Sequence, residues 1–321
     1  MSKNLTIGMV MDPIENIKPY KDTSFAIMLE AQRRGHKVVY LQPEDIFLEN
    51  GRPFANVAEI KLWDRSYEDT SSQYYGFGAT SLTPLGELDI IFIRQDPPFN
   101  SDYLYSTHFL ELAEAEGAIV VNKPQTLRDA NEKLFASWFP QCIPSTLVSA
   151  NAEKIKAFIQ EQQDVILKPL DAMGGASIFR VKQGDTNTNV ILETMTDYGK
   201  HHIMAQVFLP EIKQGDRRIL LINGEPIPYA LARIPAKGEN RGNIAAGGTG
   251  VGIALTERDY WLCDQIKPSL QAKGLHFVGL DVIGDYITEI NVTSPTCLRE
   301  LDNQYNLNIA GILFEHLETL S

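Results

Sequence analysis

The 321-residue sequence has no apolar run long or pure enough to span a bilayer. Its start, Met-Ser-Lys-Asn-Leu-Thr-Ile-Gly-Met-Val, lacks a sustained apolar segment, so neither a membrane anchor nor a secretory signal is expected. Cysteine is scarce. Cys142, Cys263 and Cys297 lie far apart, which excludes a disulfide framework or a closely spaced zinc site and suits a reducing cytoplasm. Basic residues are outnumbered, 29 Lys and Arg against 41 Asp and Glu, and the net charge of −12 argues against nucleic acid or an anionic membrane as main partner. Phosphate ligands are not excluded, because a nucleotide site needs only a few placed cations and a metal. Short repeats and low-complexity tracts are also absent. What is present is a composition 44% hydrophobic, enough for about two domains and perhaps three lobes.

In chain order, Leu5 to Met11 predicts a buried strand closed by Asp12-Pro13, Ser24 to Arg34 a helix stopped by Gly35, and Lys37 to Leu41 a second strand. Strand, helix and strand make a parallel pair with a right-handed crossover, the opening of a doubly wound α/β domain whose ligand edge lies at the strand ends. Asn50-Gly51 is a hairpin turn, while Trp63 to Leu85 shows no clear period and reads as loop with short elements. Asp89 to Arg94 is a strand, Asp102 to Glu116 a helix, and Ala118 to Val121 the strand that ends this domain. Thr126 is placed to cap a helix from Leu127 to Phe139 in which Lys133 sits off the apolar stripe, as either a solvated lysine or a ligand. Ala152 to Gln163 is a further helix.

Four later stretches carry chemistry. Val165 to Pro169 and Ile178 to Val181 are strands joined by Leu-Asp-Ala-Met-Gly-Gly-Ala-Ser. Gly174 and Gly175 let backbone N–H groups approach a phosphate that Lys168 can also reach; the plainer alternative is an ordinary glycine-rich hairpin. Arg217 to Ile222 and Glu225 to Arg233 form a hairpin about Asn223-Gly224, with Arg218, Tyr229 and Arg233 on one face. Two guanidiniums there call for a carboxylate or phosphate. Ile234 to Gly252 is a glycine-rich loop of the length that lids have, and Thr256 to Lys273 a helix adjusted at Pro268.

The fourth stretch is a hairpin from Phe277 to Pro295. Turn chemistry at Gly284-Asp285 favours a two-residue loop pairing Ile283 with Tyr286, but that register is chemically poor, since it sets Asp281 and Glu289 on opposite faces and Glu289 beside Leu280. A three-residue loop pairing Ile283 with Ile287 does better and is the register expected: it gathers Gly279, Asp281, Glu289 and Asn291 on one face, and Val278, Leu280, Val282, Thr288, Ile290 and Val292 on the other. The first face suits Mg²⁺ shared with substrate phosphates; the plainer alternative is a solvated hairpin face. A closing helix is expected from Leu307 to Leu320.

The order Lys133, Lys168 with its glycine flap, Arg218 and Arg233, a lid, then Asp281, Glu289 and Asn291 resembles the ATP-grasp ligases. The likeness narrows to the bacterial glutathione synthetase family through Val-Met-Asp-Pro-Ile, Arg-Gln-Asp-Pro-Pro-Phe, Val-Asn-Lys-Pro-Gln, Leu-Lys-Pro-Leu-Asp-Ala-Met-Gly-Gly, Leu-Ala-Arg-Ile-Pro and Thr-Glu-Ile-Asn-Val-Thr-Ser-Pro-Thr, spread over essentially the whole chain. The resemblance implies three units: a pre-ATP-grasp substrate domain at 1–122, a central lobe at 123–203, and a C-terminal lobe at 204–321. It implies a cytoplasmic homotetramer that joins γ-glutamylcysteine to glycine through an acyl phosphate, using ATP and two Mg²⁺ or Mn²⁺ ions. Lys133, Lys168, Gly174, Gly175, Ala176 and Ser177 would hold the ATP phosphates, and Met204, Ala205, Gln206, Val207 and Phe208 would run past adenine. Asp12, Arg94, Ser294, Pro295 and Thr296, with Asn291, Arg218 and Arg233, would meet substrate. Arg218 and Arg233 are the implied catalytic pair, and Arg241, Gly242, Gly247 and Gly248 belong to the lid. One departure is Thr249 after Gly247-Gly248, where the family pattern has arginine; it puts a lid contact in question, not the reaction. The alternatives are another ATP-grasp carboxylate–amine ligase, which the motifs at Asp12-Pro13 and Arg94 to Phe99 disfavour, or a non-catalytic ATP-binding scaffold.

Overall fold

The computed structural model describes residues 4–65, 73–171, 175–236, 242 and 247–321. In the first domain the elements run β1 (Thr6–Met11), α1 (Thr23–Arg33), β2 (Lys37–Leu41), β3 (Ile46–Glu49), β4 (Arg52–Leu62), β5 (Tyr75–Pro84), β6 (Ile90–Arg94), α2 (Ser101–Glu116) and β7 (Ile119–Val121). The short α3 (Pro124–Asp129) leads into β8 (Thr146–Ser149), α4 (Ala152–Gln162), β9 (Asp164–Pro169), β10 (Phe179–Lys182), α5 (Thr188–Thr196) and β11 (Ile203–Val207). Then come β12 (Asp216–Ile222), β13 (Glu225–Ile234), β14 (Thr249–Ala254), α6 (Glu257–Ala272), β15 (Phe277–Ile283), β16 (Tyr286–Asn291), α7 (Leu298–Tyr305) and α8 (Ile309–Leu317).

Strands β2, β1, β6 and β7 lie parallel in that order, and β4 and β3 extend the sheet antiparallel. β1 and β6 read as near-continuous apolar runs because both their faces are covered. Val10 joins Tyr103 and Leu110 of α2 in one core, while Ile7 and Met9 join Phe25 and Met28 of α1 in another. Both helices are capped from the sequence: Asp22 accepts from Phe25 N–H at 2.7 Å and Asn100 from Tyr103 N–H at 3.0 Å. The stretch expected to be loop holds β5, a ten-residue strand paired to β4. Its central residues are exposed on both faces, so burial imposed no alternation that the sequence could display.

The expected helix from Leu127 to Phe139 is broken. Pro124 starts α3 early, and Asn131 Oδ1 accepts from the N–H groups of Lys133 (3.1 Å) and Leu134 (3.0 Å), a local competitor of helical bonding. Thr126 does not cap: its hydroxyl donates to Lys273 O at 2.6 Å. β10, β9, β11 and β8 form a four-stranded sheet with its own core under α4 and α5. β11 belongs to this sheet, so the lobe edge placed at 203/204 falls inside a strand. The third sheet runs β14-β13-β12-β15-β16. Ile234 pairs with Thr249, so the last residues of the expected lid are strand and the loop closes at a paired base. Gly174 and Arg241 lie outside the described residues. α6 is capped by Thr256, which forms a capping box with Asp259, and carries Pro268 within it. The closing helix is α8, preceded by α7, which the sequence reading missed.

Candidate active site

The β15–β16 hairpin satisfies both demands of its sequence. Ile283 pairs with Tyr286 across a two-residue turn, and a bulge then leaves Thr288 unpaired, so that Asp281 faces Glu289 and Gly279 faces Asn291. The three-residue loop with Ile283 opposite Ile287 is therefore incorrect: Val282 pairs with Ile287. Thr288 also leaves the apolar face, since it lines the cleft and its hydroxyl donates to Asp281 O at 3.3 Å. The outer edge of β16 is tied down by Ile287 N–H to Cys142 O (2.8 Å) and Ile290 N–H to Glu132 O (2.9 Å).

On the other side of β15, Arg218 donates through Nε to Asp281 Oδ1 at 2.5 Å and through Nη2 to Oδ2 at 3.1 Å. Arg233 Nη2 lies 2.9 Å from Asp281 Oδ2 and also bonds Asp216 Oδ2. Burial pushes the Asp281 carboxyl up, but the two guanidiniums outweigh burial and hold it well below the ordinary carboxylate range. Burial raises Asp216 to about 6 against the pull of Arg233, and the neighbouring Asp281 charge adds to the rise. The four charges form one buried network. Removing a single partner would strand a charge away from water, at roughly 3–5 kcal/mol.

Lys133 Nζ lies 3.1 Å from Glu289 Oε1, and Lys168 Nζ donates to Gln206 Oε1 at 2.8 Å. Burial lowers the Lys168 pKa, with Glu289 opposing the fall. These groups line a cleft between the central and C-terminal sheets, walled on its apolar side by Ile166, Ile178, Phe208 and Leu209. Gly175, Ala176, Gln206, Val207 and Gly242 also line it. Ser177, Gly247 and Gly248 are not among the lining residues, and Met204 and Ala205 are buried within β11, flanked on both sides by β8 and β9. Two lining acids escaped the sequence reading. Glu132 Oε1 accepts from Val292 N–H (2.8 Å), Thr293 N–H (2.9 Å) and Thr293 Oγ (2.8 Å), and Asp216 holds Arg233. Each sits beside a cation in sequence, Lys133 or Arg217, and so reads as a local solvated pair.

Of the residues expected to meet substrate, Arg218 and Asn291 line this cleft, while Asp12, Arg94, Ser294, Pro295 and Thr296 form a neighbouring group. Arg94 is buried, donates to Ser24 Oγ and Pro295 O at 2.9 Å each, and leaves Nη1 without a partner among the described residues. Asp12 Oδ2 accepts from Asp96 N–H at 2.8 Å, and Ser294 bonds the Asp96 carboxylate. Thr296 Oγ lies 3.7 Å from Cys297 Sγ. The two groups meet at Gly279, where a Cβ would stand 2.9 Å from Arg218 Cδ and 3.0 Å from Pro295 Cβ.

Asp281, Glu289 and Asn291 are hard oxygen donors of the kind that hold Mg²⁺ or Mn²⁺. Cationic side chains already sit on both acids, Lys133 on Glu289 and Arg218 with Arg233 on Asp281, and partly offset their charge, so a metal held here would need anionic substrate oxygens beside them. No cluster of three or more His, Cys, Asp or Glu suited to a metal occurs among the described residues, so substrate oxygens would have to complete a coordination shell.

Residues 5–128 match the family described as prokaryotic glutathione synthetase, N-terminal domain, and residues 132–306 its ATP-grasp domain. The chain is 54% identical over 314 residues to the glutathione synthetase of Vibrio cholerae, covering 98% of this chain and 97% of the relative. To that of Coxiella burnetii it is 52% identical over 316 residues, with 98% and 97% covered. Among solved structures, the ATP-grasp ligase PsnB complexed with a minimal precursor matches with a TM-score of 0.64 at 17% identity, over 99% of this chain and 100% of that one. D-cycloserine synthetase DcsG matches with a TM-score of 0.64 at 13% identity, over 97% and 99%. At such identities the likeness concerns the fold.

Proposed function

Because this chain belongs to the prokaryotic glutathione synthetase family, we propose that the cleft between its central and C-terminal sheets is where ATP and γ-glutamylcysteine react. The activity is ATP-dependent ligation of γ-glutamylcysteine and glycine to glutathione, with release of ADP and phosphate. In the reading we favour, the nucleotide lies along β9, its phosphates towards Lys168 and Lys133 and its base against Ile166, Ile178 and Phe208. The free guanidinium edge of Arg94, with Asp12 and the Ser294-Pro295-Thr296 turn, takes the dipeptide.

A dipeptide carboxylate oxygen attacks the γ-phosphorus, the bond to the bridging oxygen breaks, and ADP departs. The glycine amine then attacks the acyl carbon; the C–O bond to phosphate breaks and the amine proton is lost. Arg218 faces both steps: Asp281 holds it through Nε and Nη2, its Nη1 donors serve developing negative charge on phosphoryl and acyl oxygens, and Arg233, fixed by Asp216, supports it. Mg²⁺ or Mn²⁺, two ions with ATP, would be held by Asp281, Glu289 and Asn291 and would draw charge from the transferring phosphoryl group. Gly242, buried against Arg233 O, and Gly247 and Gly248 belong to the loop that excludes water.

The observation that carries this assignment is the convergence of Arg218 and Arg233 on Asp281 beside the Lys133–Glu289 pair, in a cleft with an apolar wall. We further divide the chain at 122 and, since β11 belongs with β8 to β10, after Val207. A cytoplasmic homotetramer, with neither nucleic acid nor membrane as partner, completes the reading on the family pattern. The test is phosphate release and product mass with γ-glutamylcysteine and each of glycine, alanine, serine and D-alanine. Glutathione formed stoichiometrically with phosphate only when dipeptide, glycine and divalent metal are all present is expected; stoichiometric turnover with D-alanine and none with glycine would overturn it.

A further inference from the structure

Phe208 stands one residue past the end of β11, in the apolar wall of the cleft. Its N–H donates to Asp164 O at 2.9 Å, which fixes the backbone but leaves the ring free to turn about its side-chain bonds. A second device restrains the ring. The Arg180 guanidinium lies 3.5 Å from the ring centroid and is itself held by both oxygens of Asp164, Nε to Oδ1 at 2.9 Å and Nη2 to Oδ2 at 2.6 Å. A two-pronged pair fixes the plane of the guanidinium as well as its position, so the ring beneath it is fixed too. Alternation along β9 puts Asp164, Ile166 and Lys168 on one face, with Ile166 paired to Arg180 across to β10. That face therefore runs from the phosphate-binding lysine, through the apolar wall, to the clamp at the far end.

We propose that Arg180, braced by Asp164, is a positioning residue that holds the Phe208 ring flat for stacking on the nucleotide base. The inference rests on the reading of this cleft as the ATP site. Arg180 does not line the cleft and acts only through the ring. Stability alone gives little reason for the arrangement, because both side chains of the ion pair are 27% exposed and such pairs contribute little to folding. A cation on one face of an aromatic ring also draws electron density from the other, which favours stacking of an electron-rich base there.

The test is a double-mutant cycle with Arg180→Met and Phe208→Ala, read as KM for ATP, KM for γ-glutamylcysteine, kcat and melting temperature. Expected are a rise of about tenfold in KM for ATP in Arg180→Met, a change in kcat below about twofold, and an unchanged dipeptide KM. The double variant should be no worse than Phe208→Ala alone, and Arg180→Lys, which keeps the charge but loses the fork, should fall between wild type and Arg180→Met. If Phe208→Ala weakens ATP and Arg180→Met does not, or if the two effects simply add, the positioning role is wrong and the nucleotide site stands. If Phe208→Ala leaves KM for ATP untouched, the base does not lie on this wall, and both the site assignment and the inference fall. If Arg180→Met lowers the melting temperature and shifts both KM values and kcat together, the residue is merely structural and the inference is overturned.

Discussion

At Arg218 the site demands a shape as well as a charge. Its two bonds to Asp281 use the planar fork, and a lysine ammonium at the same place could satisfy one oxygen at a time. Arg218→Lys is therefore expected to lower kcat by roughly two orders of magnitude, the usual loss of a preorganised donor, while ATP affinity changes by less than about threefold. Steady-state kinetics beside nucleotide titration checks this; parallel losses in both would make Arg218 a nucleotide ligand only. The residues of this site were legible in the sequence where a charge stood on a strand and needed a partner, as for Lys168, Arg218, Asp281 and Glu289. Glu132 and Asp216 were not, because only burial distinguishes an acid that organises a site from one that pairs with its neighbour on the surface.

Elements were legible wherever burial imposed a period, and missed where it did not. β1, β2, β6, α2 and α4 follow from their apolar patterns, whereas β5 shows water on both faces and α3 yields to an Asn131 side chain that competes for backbone N–H groups. The acidic hairpin lies between these cases. Turn residues demanded one register and the carboxylates another, and a single unpaired residue at Thr288 reconciles them. Regular ladders are what a sequence pattern describes; a bulge is a local exception that two conflicting patterns can signal. Gly279, on the same face, is where β15 lets Arg218 and Pro295 come close. Gly279→Ala would push a methyl group into both, moving Arg218 off Asp281 by a fraction of an ångström. Turnover is expected to fall by about tenfold to a hundredfold with little loss of melting temperature. Unchanged turnover would show that Arg218 tolerates displacement.

Across the whole molecule, the first domain and the C-terminal lobe share two cores, while the central sheet packs its own small one. The cleft thus lies between a large block and a lighter lobe, and the block is closed at its far side by α7 and α8 packed on α1. There His276 Nδ1 lies 3.0 Å from His316 Nε2, joining the start of β15 to α8. Burial, then the charge of His316, depresses His276 to about 4, and burial lowers His316 as well. A depressed histidine means that the unfolded chain binds more protons between about 4 and 6.5, so this pair stabilises fully above pH 6.5 and loses that contribution as pH falls through 4. For His276 the effect is at most about 3 kcal/mol. Asp216 and Asp302, both raised by burial to about 6, act in the opposite sense: their folded forms hold protons more tightly, so stability falls as pH rises from 3.8 through 6. The windows overlap, and the total profile of the protein is flattened by their opposition. Only a difference isolates the histidines. Urea denaturation of wild type and His276→Gln at pH 7.5, 6 and 5 (about half-unit steps if needed) is expected to show the variant's deficit shrinking as pH falls, because the wild type alone loses the neutral pair. A deficit that stays constant over the series would mean that His276 contributes packing and no pH dependence.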